Sequence, residues 1–248
     1  MTSTPVPPPA GWYPAPDGSS TTWWWDGARW VGPEQESSRP LAATKGIARL
    51  AAATQVLLIV CGVLSVATIG VEAFGISAIT GFLTGNQSAI DLLDAYDQMT
   101  AVASVLGSVF LVVTGVVWVI WQYRVAKQVL GQTRRSPGWH VASWFVPIIS
   151  FWFPYQNISD LLRAVGRARP SWQILWWLLW AVSNWLIQVS TRIYITAADL
   201  EQFRVAMWMS LAGELLLLAA APLAWLTIRS ITQGVLQPSQ ALSRSLAA

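Results

Sequence analysis

The sequence predicts an all-α integral membrane protein: four transmembrane helices plus a proline-broken re-entrant or interfacial segment, preceded by a small Trp-rich β-hairpin module. Three observations predict it. Hydrophobic residues are 54% of the 248 and charged residues only 11%, far from the balance of a soluble domain. Long uncharged apolar runs recur along the chain. Lysine and arginine keep to alternate connections between those runs.

The chain opens with a Pro-rich stretch, residues 1–10, whose composition predicts disorder. Residues 11–32 form the module, GWYPAPDGSSTTWWWDGARWV with its flank. Asp26-Gly27 between TTWWW and ARWV is a two-residue hairpin signal, because a type I′ turn needs positive φ at both central positions. So small a hairpin needs extra burial, which Trp12 and Tyr13 stacked on Trp23, Trp25 and Trp30 would supply. Alternation along the strand then leaves Trp24 outside, as an anchor for a cytoplasmic protein partner or the membrane surface. Residues 33–46 are expected to be a linker.

The membrane domain, residues 47–235, carries spans at about 50–71, 100–123, 170–191 and 205–228. The first of these reaches about 33 Å as a helix, enough for a hydrocarbon core about 30 Å thick. Nothing before it has the apolar core and small-residue cleavage site of a signal peptide, so it must itself target the membrane. Orientation follows from charge. Arg29, Arg39, Lys45 and Arg49 precede the first span, whereas residues 72–99 hold no lysine or arginine but do hold Glu72, Asp91, Asp94 and Asp97. Both termini, including the 236–248 tail, are therefore expected on the cytoplasmic face of a bacterial plasma membrane.

Residues 134–156, RRSPGWHVASWFVPIISFWFPYQ, are greasy enough to cross. Arg134 and Arg135 stand before this stretch, and Arg163, Arg167 and Arg169 after it, so crossing would put one basic cluster outside. Keeping 137–156 on one side leaves only Arg192 and Arg204 of the 15 basic residues outside. Pro147 and Pro154 would also strain a straight helix. The alternative is a fifth, kinked span. Trp139, Trp144, Trp152 and Tyr155 suit an interface, and Asn157 with Asp160 predicts the cap of a basic amphipathic helix lying on the inner leaflet. Trp24, Trp139, Trp144 and Trp152, with Arg134, Arg135, Arg163 and Arg167, make up the candidate interaction surface.

The motifs carry two resemblances. GWYPAPDG followed by WWWDGARWV resembles an actinobacterial module catalogued as domain of unknown function 2510, with Ala15 where that pattern usually has an acid. RRSPGWHVASWFVPIISFWFPYQ is similar to the signature of the membrane family catalogued as domain of unknown function 4328, over roughly residues 50–235. Together they imply a multi-helix membrane domain behind a small cytoplasmic module. Neither brings an activity.

Chemistry is sparse. Glu214 lies inside a span, about 13 Å from its outer edge, with Asn184 and Ser108 at about 9 and 12 Å. Intramembrane charge is costly, so these three form a candidate cluster, either helix-gluing or a proton relay. Ala103, Gly107 and Gly115 predict a close helix contact on the second span. Asp91, Asp94 and Asp97 fit a solvated face of an external helix. One cysteine, Cys61, and one histidine, His140, predict no disulfide and no zinc site. No phosphate-cradling, nucleophile-elbow or HExxH motif is present, so no catalytic, cofactor or metal residues are assigned, and no basic block points to nucleic acid. The expected partners are the lipid bilayer and a protein bound through residues 11–32. The expected role is non-enzymatic recruitment or sensing, with small ion, proton or solute transport through Glu214 as the alternative.

Overall fold

The computed structural model describes residues 9–16, 18, 21–31 and 33–246, with side chains apart from 31–42 and 238–246. The expected tail at 1–10 falls almost wholly outside the described residues, as do the last two residues of the tail at 236–248. The chain divides into two units: residues 1–46 with 236–248, and residues 47–235.

In the first unit, strands β1 (Gly11–Pro14), β2 (Thr22–Trp25) and β3 (Trp30–Val31) form an antiparallel sheet in the order β1-β2-β3. The sequence predicts a hairpin; GWYP adds a third strand. Register pairs Trp12 with Trp24 and Tyr13 with Trp23, while Trp25 faces Trp30. Trp12 therefore meets Trp24 edge-on at 5.5 Å, and Tyr13, Trp25 and Trp30 cluster on the opposite face. Of the two rings expected on Trp23, Trp25 and Trp30, Tyr13 packs on Trp30 but Trp12 does not, because neighbours on a strand point to opposite faces. The turn is shifted by one residue from Asp26-Gly27: Asp26 N–H donates to Arg29 O at 3.2 Å with Gly27 and Ala28 between them, and of these two only Gly27 has a positive φ. Asp26–Arg29 form the connection, and the Asp26 carboxylate accepts the backbone N–H of Ala28 and of Arg29, each at 2.9 Å. Those two N–H groups, Arg29's first, hold the Asp26 carboxyl below its usual range.

Helix α1 covers Pro33–Leu83 and α2 covers Ala89–Gln128. The expected linker at 33–46 is thus helical: Pro33 stands at the first helical position, where proline is tolerated, and α1 continues through Pro40. Between the first two expected spans only residues 84–88 lie outside helices, and Asp91, Asp94 and Asp97, expected on a helix, lie on the first turns of α2. Gly85, at φ 99°, closes α1: its N–H bonds Phe82 O and the next N–H, of Asn86, bonds Gly81 O. Helices outlast their apolar runs because leaving the bilayer removes only the hydrophobic requirement, not the hydrogen-bond ladder.

After α2 come α3 (Pro137–Ala142), a 3-10 turn (Ile149–Phe151), α4 (Phe153–Ala164), α5 (Gln173–Thr196) and α6 (Leu200–Leu246). Three helical stretches are long and apolar enough to cross a membrane: Ala43–Leu83, Ala89–Gln128 and Leu200–Gln237. In the second unit α1 pairs antiparallel with α2, Cys61 Sγ lying 3.3 Å from Thr114 Oγ1 and Glu72 reaching Tyr96. α5 stacks Trp176 on Trp118 and meets the Tyr96 hydroxyl with that of Tyr194 at 2.6 Å. It therefore runs alongside α2 from Trp118 to Tyr96, its own residues 176–194 covering about 27 Å. α6 returns along α5, where Ser190 donates to Ala206 O and a methyl on Gly213 would press on Ile187 and Ser183 O.

Residues 129–172 behave otherwise. Arg134 at their start bonds Asp160 near their end, so the stretch doubles back. Its tip is a γ-turn of the rare positive-φ kind: Ile148 sits at φ 68°, ψ −52°, and Ile149 N–H bonds Pro147 O at 2.7 Å. Phe145, Ile148, Phe151 and Trp152 around that tip are all exposed.

Candidate functional site

Two features of the second unit frame its candidate chemistry: the floor made by residues 129–172 and the helix-bordered cavity above it.

In the floor, α4 buries Ile158, Leu161 and Leu162 in the main core beside Ile228 and Ile231 of α6. The apolar face expected on the inner leaflet packs on protein instead, because α6 offers a complementary apolar stripe and Val165 seats on Gly234. Gly166, at φ 70°, ends α4 by the same two-bond cap as Gly85. The expected Asn157–Asp160 cap does not form, since α4 begins four residues earlier, at Phe153. Asp160, 1% exposed, takes Arg134 Nε at 2.9 and 3.0 Å and Arg163 at 3.5 Å. Asn157 donates to Trp139 O and Ser143 Oγ and accepts from Arg135. Arg135 also donates to Gln156 Oε1 at 2.6 Å and lies 3.6 Å over the Phe153 ring.

Electrostatics follow from that packing. Asp160 raises the Arg134 guanidinium, while burial and then the Arg134 charge lower Arg135. His140 is fully buried, and neither ring nitrogen has a hydrogen-bond partner among the described residues. Burial pushes its imidazole down to about 4, helped by Arg135 and opposed by Asp160.

Trp144 leaves the interface expected for it and enters the bundle. Its ring is 5.3 Å from Trp180, 6.1 Å from Trp177 and 6.2 Å from Trp118. The buried Gln122 Oε1 accepts both the Trp144 and the Trp118 indole N–H at 3.0 Å, so a polar tip is satisfied while each ring packs. Trp139 and Trp152 remain exposed, as do the heads of Arg163 and, in part, Arg134. Trp24 is half-buried against Trp12, and Arg167 is half-buried.

The Glu214, Asn184 and Ser108 cluster does not assemble. Ser65 of α1 faces Glu214, Asn184 donates to Trp180 O of its own helix, and Ser108 is exposed. Depth matched; facing did not. The buried carboxylate that sequence reasoning passed over is Glu72, 4% exposed, which accepts the Tyr96 hydroxyl at 3.1 Å and the Tyr194 hydroxyl at 3.4 Å. Gly75 belongs to the same packing, since any side chain there would overlap the Tyr96 ring, a relation visible only in the tertiary structure.

Above the floor, α1, α2, α5 and α6 enclose a cavity of about 390 Å³. Among the described residues no group of three or more His, Cys, Asp or Glu side chains converges to hold a metal.

Fold and site together define a helical membrane protein with a folded-back, Trp-sealed floor. Residues 85–233, more than half of the chain, match the family described as a domain of unknown function (DUF4328), and the chain belongs to that family. Neither the curated proteins nor the solved structures include a match.

Proposed function

We propose that this is a non-enzymatic, multi-pass plasma-membrane protein that recruits or senses a cytoplasmic protein segment through residues 11–32. The observation that carries it is the sheet's second aromatic face. Tyr13, Trp25 and Trp30 already use one face as a mini-core, yet Trp12, 54% exposed, stands with Trp24 on the other. Tryptophan is one of the residues enriched at the hot spots of protein interfaces. Photocrosslinking from position 12 in native membranes should trap a protein that Trp24→Ala releases. Recovery of lipid adducts alone would refute it.

In this reading α5 is a fourth span beside the three apolar helices, both ends are cytoplasmic, and 137–156 re-enters from that side. The length of α5 between its Trp118 and Tyr96 contacts supports this, as does the one-sided charge. A cysteine placed at position 196 should react only with reagent added outside. The N-terminal likeness to domain of unknown function 2510, and with it an actinobacterial source, belongs to the same proposal.

A further inference from the structure

The cavity between α1, α2, α5 and α6 lies where a bundle of this kind normally interdigitates large side chains. Small residues break the walls here, with Gly62 on α1, Gly115 on α2 and Ala221 on α6 set among leucines and valines of the same helices. The close contact expected at Gly107 and Gly115 is missing, for a Cβ at either would meet no atom within 4 Å. Trp118, Trp144, Trp176 and Trp180 close the floor end. The polar atoms on the walls are largely spent on protein, since Thr114 donates to Phe110 O and meets Cys61, and Asn184 donates to Trp180 O. What remains offers alkyl and indole surface to an occupant. At about 390 Å³ the space falls within the ~300–1,000 Å³ typical of ligand sites.

Its mouth is lateral. Val112, Val116 and Phe145 line the cavity and are 63%, 50% and 73% exposed, so the space opens through the side of the bundle beside apolar lengths of α2. With α1, α2 and α6 in a bilayer, acyl chains are the molecules at that mouth. The positive-φ turn at Ile148 lies three residues beyond Phe145, putting stored backbone strain next to the opening.

We propose that this cavity binds an acyl chain of a bilayer phospholipid, inserted laterally past Phe145 and resting on the tryptophan floor. The inference uses the bilayer placement of the apolar helices and is independent of what residues 11–32 bind.

The test uses the full chain in nanodiscs containing phosphatidylglycerol with a mid-chain diazirine. Photolysis should place adducts on cavity-lining peptides around residues 58–65 and 111–119. Gly115→Leu projects its side chain into open space and improves helix propensity. It should cut those adducts at least fivefold. Gly107→Leu makes the same change two turns away, outside the cavity lining, and should leave them unchanged, as both should leave adducts at outward-facing Val105. Equal cavity adducts in the Gly115→Leu protein would overturn the proposal. A second measurement needs no substitution, because Cys61 is the chain's single cysteine and lines the cavity. In detergent, added phosphatidylglycerol should slow Cys61 alkylation by N-ethylmaleimide at least threefold, and its deacylated headgroup should not. No protection, protection by free fatty acid but not phospholipid, or a Cys61 crosslink to a second copy would each overturn it.

Discussion

Arg134 Nε lies 3.0 and 2.9 Å from the two carboxylate oxygens of Asp160, 26 residues further on, and this contact brings a stretch long enough to cross a membrane back to where it began. Asp160 is 1% exposed, so removing its partner strands a buried charge, with only Arg163 at 3.5 Å in compensation. Arg134→Gln should cost about 1–3 kcal/mol, reduced from the buried-pair range because the Arg134 side chain is 51% exposed. Arg134→Gln with Asp160→Asn should cost less than the two separately by at least ~0.5 kcal/mol. Thermal unfolding followed by tryptophan fluorescence measures the cycle, and strict additivity would deny the pair its role.

His140 predicts an acid limb in stability. Its folded value, about 4, lies below the ordinary 6.5, so between those pH values the unfolded chain binds a proton that the folded one refuses. Stability is complete above pH 6.5, falls as pH drops toward 4, and loses on the order of 3 kcal/mol from this group. His140→Leu should flatten that limb in unfolding experiments from pH 7 to 4, since neither ring nitrogen has a described partner to lose.

The glycines separate by what surrounds them. Gly75→Ala drives a methyl into the Tyr96 ring and should destabilise by about 1–3 kcal/mol. Gly107→Ala meets open space and should stabilise by about 0.5–1 kcal/mol through helix propensity alone. Opposite shifts in melting temperature are the expected result.

Ile148 holds a positive φ that a β-branched residue adopts only under strain. Ile148→Gly should relieve about 1 kcal/mol of it, partly offset by the unfolded-state entropy glycine gains. A raised melting temperature, with the Arg134–Asp160 coupling unchanged, checks this.

The membrane class was legible because bilayer insertion depends on composition summed over about 20 residues, which any apolar run displays. Pro147 and the flanking arginines are local signals, and they mark 137–156 as different from the long apolar helices without saying which side chains it meets. The aromatic face of Trp24 followed from strand alternation, but its pairing with Trp12 did not, since it needs the register of a third strand.

By itself, then, the sequence determined the membrane-protein class and where three helices long and apolar enough to cross a membrane fall. Only the tertiary structure decided which polar groups meet. Glu214, Asn184 and Ser108 share a depth but not a face, whereas Glu72 joins Tyr96 and Tyr194 from three helices. It also decided that Gly115 borders a cavity rather than a neighbouring helix. The physical reason is rotational: rise per residue fixes depth from sequence position, but the azimuth each helix presents is set by packing among all of them at once.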